Sequence, residues 1–214
     1  NPSAGFSIVS YTGGGGSGAT VGHSLNAKPE FIIVKSRTSG ENWFVNYPLG
    51  TGDGYLMLNQ TNAGDGSNVT VWNSTAATSS VITLGSTNGV NGSQNYIAYC
   101  FAPVEGYSAM GSYTGNGSTD GVFVHTGFKI AWLMVKRTDA TNDWVITDGV
   151  RNTSNVVDKG LYADLSSNES TSTRFDFVSN GFKIRNTLGE INASGGTYIY
   201  LAFAEHPFKT ARAR

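Results

Sequence analysis

The sequence predicts an all-β chain of two related halves, β-sandwich-like and jelly-roll-like, with one merged sandwich as the alternative arrangement. Three observations predict it. The first is composition: 214 residues with 39% hydrophobic, 12% aromatic and only 14% charged residues, the polar remainder rich in Gly, Ser, Thr and Asn. Those residue types make sheets and turns rather than helices. The second is patterning: apolar runs are short and bounded by turn formers, and none recurs at helical spacing. The third is repetition, because three anchors recur in the same order about one hundred residues apart.

The central anchor is a four-residue apolar run, a lysine, a polar turn and a tryptophan. It reads Phe31-Ile32-Ile33-Val34-Lys35 with Trp43, and again Trp132-Leu133-Met134-Val135-Lys136 with Trp144. Each is expected to be a buried strand whose hairpin partner opens at the tryptophan, with Trp43, Trp132 and Trp144 in the core. The flanking anchors are Phe6–Gly13 against Tyr107–Gly115, and Tyr96–Ala102 against Tyr198–Ala204. The expected divisions are therefore a first repeat over 1–106, a second over 107–208 and a basic tail over 209–214.

In chain order, Phe6–Gly13 is a first strand, stopped by Gly13-Gly14-Gly15-Gly16-Ser17-Gly18. That run matches a dinucleotide-binding glycine pattern on paper. The residues after it read as a strand, so no helix N-terminus is available to a phosphate, and a turn is expected. Tyr55–Leu58, Val69–Trp72 and Val81–Leu84 read as further strands, and Gly85–Asn95 as a turn into the last strand of the half. In the second half Gly149–Ser172 has few paired anchors, after which Phe175–Val178 and Phe182–Ile184 resume strands. In the two final strands, Ile97, Tyr99 and Phe101 (with Ile199, Leu201 and Phe203) are expected to face the core. The smaller set, Tyr96, Ala98, Cys100 and Ala102, is expected to face a neighbour.

A net charge of −1 supplies no electrostatic footprint for nucleic acid, and no apolar run is long enough for a membrane helix. No cofactor, metal or catalytic residue is expected. Cys100 answers to Ala202 and reads as a small buried hydrophobe. His23 and His125 fall at matching places and read as strand-end hydrogen-bonding residues. Asp139 and Asp143 read as turn acids rather than calcium ligands. A residue found in one copy only is freer to serve a site. On that basis Trp72, Asn73 and Tyr162 are the expected ligand-binding residues, with the Trp72 ring as an exposed platform for sugar. Lys209, Arg212 and Arg214 are the expected assembly contacts.

Ser112–Gly117, Trp132–Lys136 with Trp144, and Ile191–Tyr200 together resemble a duplicated, uncharacterised β-module of tailed-bacteriophage virion and tail-fibre-like proteins. The resemblance spans Gly5–Lys209. It implies a non-enzymatic structural protein at the virion surface, serving as a tail-fibre or receptor-binding part or as capsid decoration. Its implied partners are other copies of itself, other virion proteins and a host surface glycan. A carbohydrate-binding module is the alternative, and a glycan-degrading enzyme ranks third. Homo-oligomers are expected.

Overall fold

A computed structural model describes residues 1–47, 54–66 and 68–206. The chain divides into two compact units, Asn1–Asn59 with Gly64–Pro103, and Gln60–Ala63 with Val104–Arg214. Strands dominate both, and among the described residues the α-helices are single turns. The chain is all-β, as its composition predicts.

The first unit contains β1 (Phe6–Thr12), β2 (Ala19–Gly22), β3 (Phe31–Ser36), β4 (Phe44–Asn46), β5 (Leu56–Met57), α1 (Val69–Trp72), β6 (Val81–Leu84), α2 (Asn88–Asn91) and β7 (Asn95–Phe101). Its main sheet runs β1-β7-β3-β4-β5, and β2 pairs separately with β6. All the pairings are antiparallel. The core lies between them: Ile32, Val34, Phe44, Tyr96, Ala98 and Cys100 from the main sheet meet Ile82, Leu84, Val71 and Trp72.

The second unit contains β8 (Ser108–Thr114), β9 (Phe123–His125), β10 (Ile130–Arg137), β11 (Trp144–Asp148), β12 (Val157–Tyr162), β13 (Ser170–Val178), β14 (Gly181–Ile184), α3 (Gly189–Asn192) and β15 (Thr197–Ala204). Here one sheet takes eight strands in the order β8-β15-β10-β11-β12-β13-β14-β9. Tyr113 on the first strand of that order lies edge-on to Phe182 on the seventh, with ring centroids 6.0 Å apart. The sheet therefore folds over its own face, and side chains from both ends share one sandwich-like core.

Three expectations are corrected here. Val69–Trp72 is a helical turn rather than a strand. Asn68 accepts a hydrogen bond from the Thr70 amide and Asn73 closes the turn at φ 54°, so two asparagine caps override the strand preference of Val, Thr and Trp. The final strand of the first unit faces the other way round. Tyr96, Ala98, Cys100 and Ala102 point into the core, whereas Ile97, Tyr99 and Phe101 are half-buried on the opposite face. Ala98 and Cys100 share that core with the large Trp72 and Tyr96 rings. Finally, Trp144 is 1% exposed, but Trp43 and Trp132 are only partly covered. Trp43 lies one residue before β4 with its ring stacked 6.5 Å from Tyr99, and Trp132 sits 5.8 Å from Phe203.

His23 is fully buried. Its Nδ1 accepts from the Leu25 amide at 3.2 Å, which leaves Nε2 to donate to Thr78 O at 3.2 Å. His125 is exposed at the end of β9 and does not share that role.

Candidate functional site

A buried asparagine organises one end of each unit. In the first, Asn91 Oδ1 accepts from the Gly14 amide at 3.0 Å, and Nδ2 donates to Gly16 O and Gly85 O, both at 2.8 Å. In the second, Asn192 Oδ1 accepts from the Asn116 amide at 2.9 Å. Its Nδ2 donates to Ser118 O and Asn186 O, both at 2.8 Å. The backbone carbonyls of Asn91 and Asn192 take the next amides, those of Gly15 and Gly117. Chain must pass close to each asparagine. A Cβ at Gly13 would sit 2.1 Å from Gly92 O, and one at Gly115 would sit 2.3 Å from Ala193 O. The glycine run therefore wraps an amide. Stacked tyrosines complete each hub: Tyr11 with Tyr96 at 5.1 Å, and Tyr113 with Tyr198 at 4.9 Å. Tyr11 donates to Val90 O, and Tyr113 to Ile191 O.

Charge is concentrated inside the second unit. Lys136 is 0% exposed and donates to Thr61 O at 3.1 Å and Asn142 O at 2.7 Å. Burial lowers its pKa to about 8, against the pull of Asp164 and Asp143. The Asn142 amide also donates to Thr61 O at 2.9 Å, so the Gln60–Ala63 segment is built into this unit. Burial raises the Asp164 carboxyl above its ordinary range, although its Oδ1 accepts from the Trp144 amide at 3.1 Å.

Nearby, Arg174 is 1% exposed and donates to Asp158 O, Ser172 O, Ser170 Oγ and the Tyr162 hydroxyl. Glu190 Oε1 lies 3.5 Å from its Nη2, and burial raises the Glu190 carboxyl too. Displaced carboxyl and ammonium pKa values are the usual mark of an acid–base site. In this case both cations are enclosed: the Lys136 ammonium and the two Arg174 Nη groups donate to backbone oxygens and strand side chains. They act as internal braces, joining β10 to its turn and β12 to β13.

The expected binding residues fall into this scaffold. Trp72 is 1% exposed, a core ring and not a surface platform; its segment caps itself as a helical turn and turns the indole inward. Asn73 caps that turn, and its Oδ1 accepts from Ser17 Oγ at 2.5 Å. Tyr162 is half-buried, accepts from Arg174 at 2.9 Å and donates to Glu190 Oε2 at 3.4 Å. The first two belong to one unit and the third to the other. Lys209, Arg212 and Arg214 lie outside the described residues. Asp139 is held by Arg137 through two hydrogen bonds, at 2.8 and 3.2 Å, and also accepts from the Thr197 amide.

An open groove of about 270 Å³ lies elsewhere in the second unit, between the start of β10 and the loop before β12. Ile130, Val157 and Phe177, all buried, form its floor, and Thr153, Ser154 and the exposed Val150 form its rim. Lys129 and Glu205 also line it, ion-paired at 2.8 Å. The first unit carries a depression of about 80 Å³, lined by Lys28, Pro29, Glu30, Asn46 and Tyr47 among others.

Sequence reading missed the asparagine hubs, the two buried cations and the groove. Only the hubs left a signal: Val90-Asn91 and Ile191-Asn192 hold the same place before the final strand of each half. No curated protein and no solved structure matches the chain. A family model described as a domain of unknown function, DUF7483, matches residues 1–207, and the chain belongs to that family.

Proposed function

We propose that this chain is a non-enzymatic structural protein of a tailed-phage particle. It sits at the virion surface as a tail-fibre or receptor-binding part or as capsid decoration, and it is built from two jelly-roll-like halves by internal duplication. The observation that carries the duplication is the hub. The same asparagine, wrapped by the same amides and flanked by the same stacked tyrosines, appears in each unit. The strand orders β1-β7-β3-β4-β5 and β8-β15-β10-β11-β12 match element for element. The particle assignment rests on the sequence resemblance. It agrees with a scaffold whose buried charges brace strands instead of meeting a substrate.

In this role the chain works as a homo-oligomer that buries more than about 1,000 Å² between copies. Mass photometry and light scattering of the purified chain test this, with a single species of two or more copies expected. Immunogold labelling of the source particle tests the location. A monodisperse monomer at micromolar concentration, with particles that do not label, would overturn the proposal.

A further inference from the structure

We propose that the groove beside β10 in the second unit binds one neutral sugar ring of a surface glycan. Four observations converge on it. Its volume, about 270 Å³, lies just below the ~300 Å³ at which drug-sized ligand sites begin, so it suits a single ring and not a nucleotide. Its floor is apolar, from Ile130, Val157 and Phe177, and matches the C–H face of a pyranose. Its rim offers the exposed hydroxyls of Thr153 and Ser154, and the Lys129–Glu205 pair supplies donors and acceptors with no net charge. That pairing selects an uncharged, hydroxylated partner over an anion.

The wall is also fixed in advance. Asn155 Nδ2 donates to Phe177 O at 2.9 Å, and its Oδ1 accepts from the Phe177 amide at 2.8 Å. Asn152 Oδ1 accepts from the Asp158 and Lys159 amides at 3.2 and 2.9 Å. These asparagines are spent on holding the loop against β12 and β13, so little ordering remains to be done when a ligand arrives.

The comparison within the molecule is the independent observation. A smaller depression in the first unit, of about 80 Å³, is lined by Lys28, Pro29 and Glu30, which hold the sequence places of Lys129, Ile130 and Ala131 in the groove. A depression present in both units but widened in one, by the stretch of sequence that differs most, is where a binding function separates from a shared scaffold. This inference goes beyond the particle assignment and depends neither on it nor on the oligomeric state, while its comparison of the two units rests on the duplication proposed above.

Saturation-transfer NMR on the full chain tests it, with methyl glucopyranoside, methyl galactopyranoside, methyl mannopyranoside and N-acetylglucosamine as probes, and glycine and alanine as zwitterionic controls. At least one pyranoside should bind saturably in the millimolar range. Gly149→Leu should weaken that binding at least tenfold by filling the groove. A Cβ there meets only Ile130 O at 3.7 Å and Ala131 O at 3.8 Å, so the backbone accepts it. The double substitution Thr153→Ala with Ser154→Ala removes exposed hydroxyls without touching the core, and should also weaken binding at least tenfold at an unchanged melting temperature. It carries the test if the leucine variant misfolds. The proposal is overturned if no pyranoside saturates, if the double substitution leaves affinity unchanged, or if the zwitterions bind and the sugars do not.

Discussion

The two units answer the same problem differently between their fourth strand and their last helical turn. The second unit runs three strands there, β12, β13 and β14, and buries an arginine on β13. The first unit leaves β5 at two residues, turns α1 inward and fills the gap with the Trp72 ring. Elsewhere they agree closely, down to which backbone amide meets which asparagine oxygen. The contrast separates what the scaffold requires from what it tolerates. It requires the hub, because several turns depend on a single amide group. It tolerates a buried indole in the core of one unit and a buried guanidinium braced by β12 and β13 in the other.

Breaking each unit at its own filler gives the largest effects. Trp72→Ala should cost about 3–5 kcal/mol through lost burial and the cavity left behind. Arg174→Ala should cost about 3–5 kcal/mol for a different reason, because it strands the buried Glu190 carboxyl and several backbone oxygens. Urea midpoints measure both. Arg174→Met should recover part of the loss, and Trp72→Phe part of the other.

The hubs sharpen the comparison from the opposite side. Asn91→Ala and Asn192→Ala should each cost about 2–4 kcal/mol, since each leaves at least three buried polar groups unpaired. The two losses should agree within about 1 kcal/mol, given the usual context dependence of such values. Hydrogen exchange at Gly15 and Gly117 should quicken in the corresponding variant; quickening in neither would mean the hub does not hold its turn.

The tryptophans should separate. Trp144→Ala belongs with the large losses, whereas Trp43→Ala should cost about 1–2 kcal/mol because that ring is already partly in solvent. Equal melting temperatures for the two variants would contradict their different burial.

A pH dependence belongs to the second unit. Lys136 has its pKa lowered from 10.5 to about 8 in the folded chain. Between those values the unfolded chain holds the extra proton, so this residue makes stability rise with pH from about 8 to about 10.5. Lys136→Met should remove that rise, seen as the difference between the two proteins' urea midpoints across the window. A difference that stays flat would show that the ammonium is not strained by burial.

Much of this was readable in the residues, and particular positions show where reading stopped. The paired hairpins were visible because apolar runs ending in lysine recur with a tryptophan at fixed distance. The facing of β7 was not. A period of two divides the strand into two sets, but which set faces inward depends on what fills the other side, and there Ala98 and Cys100 share a core with the Trp72 ring. The helical turn at Val69–Trp72 was hidden by strand-forming side chains, with only Asn68 and Asn73 to betray it. Arg174 lies in a run of serines and threonines, and nothing local marks it as buried. The groove comes from residues far apart in sequence, so spacing could not assemble it.

The Thr61 carbonyl has a consequence for how this protein could be inherited in pieces. It sits far upstream, yet it accepts protons from Lys136 and Asn142 inside the second unit. A gene fragment starting at Val104 would encode every strand of that unit and still lack the oxygen that holds its buried lysine. Shuffling between relatives would therefore favour exchange of the whole pair. With the upstream loop part of the downstream unit, the two units cannot part company at the sequence boundary between them.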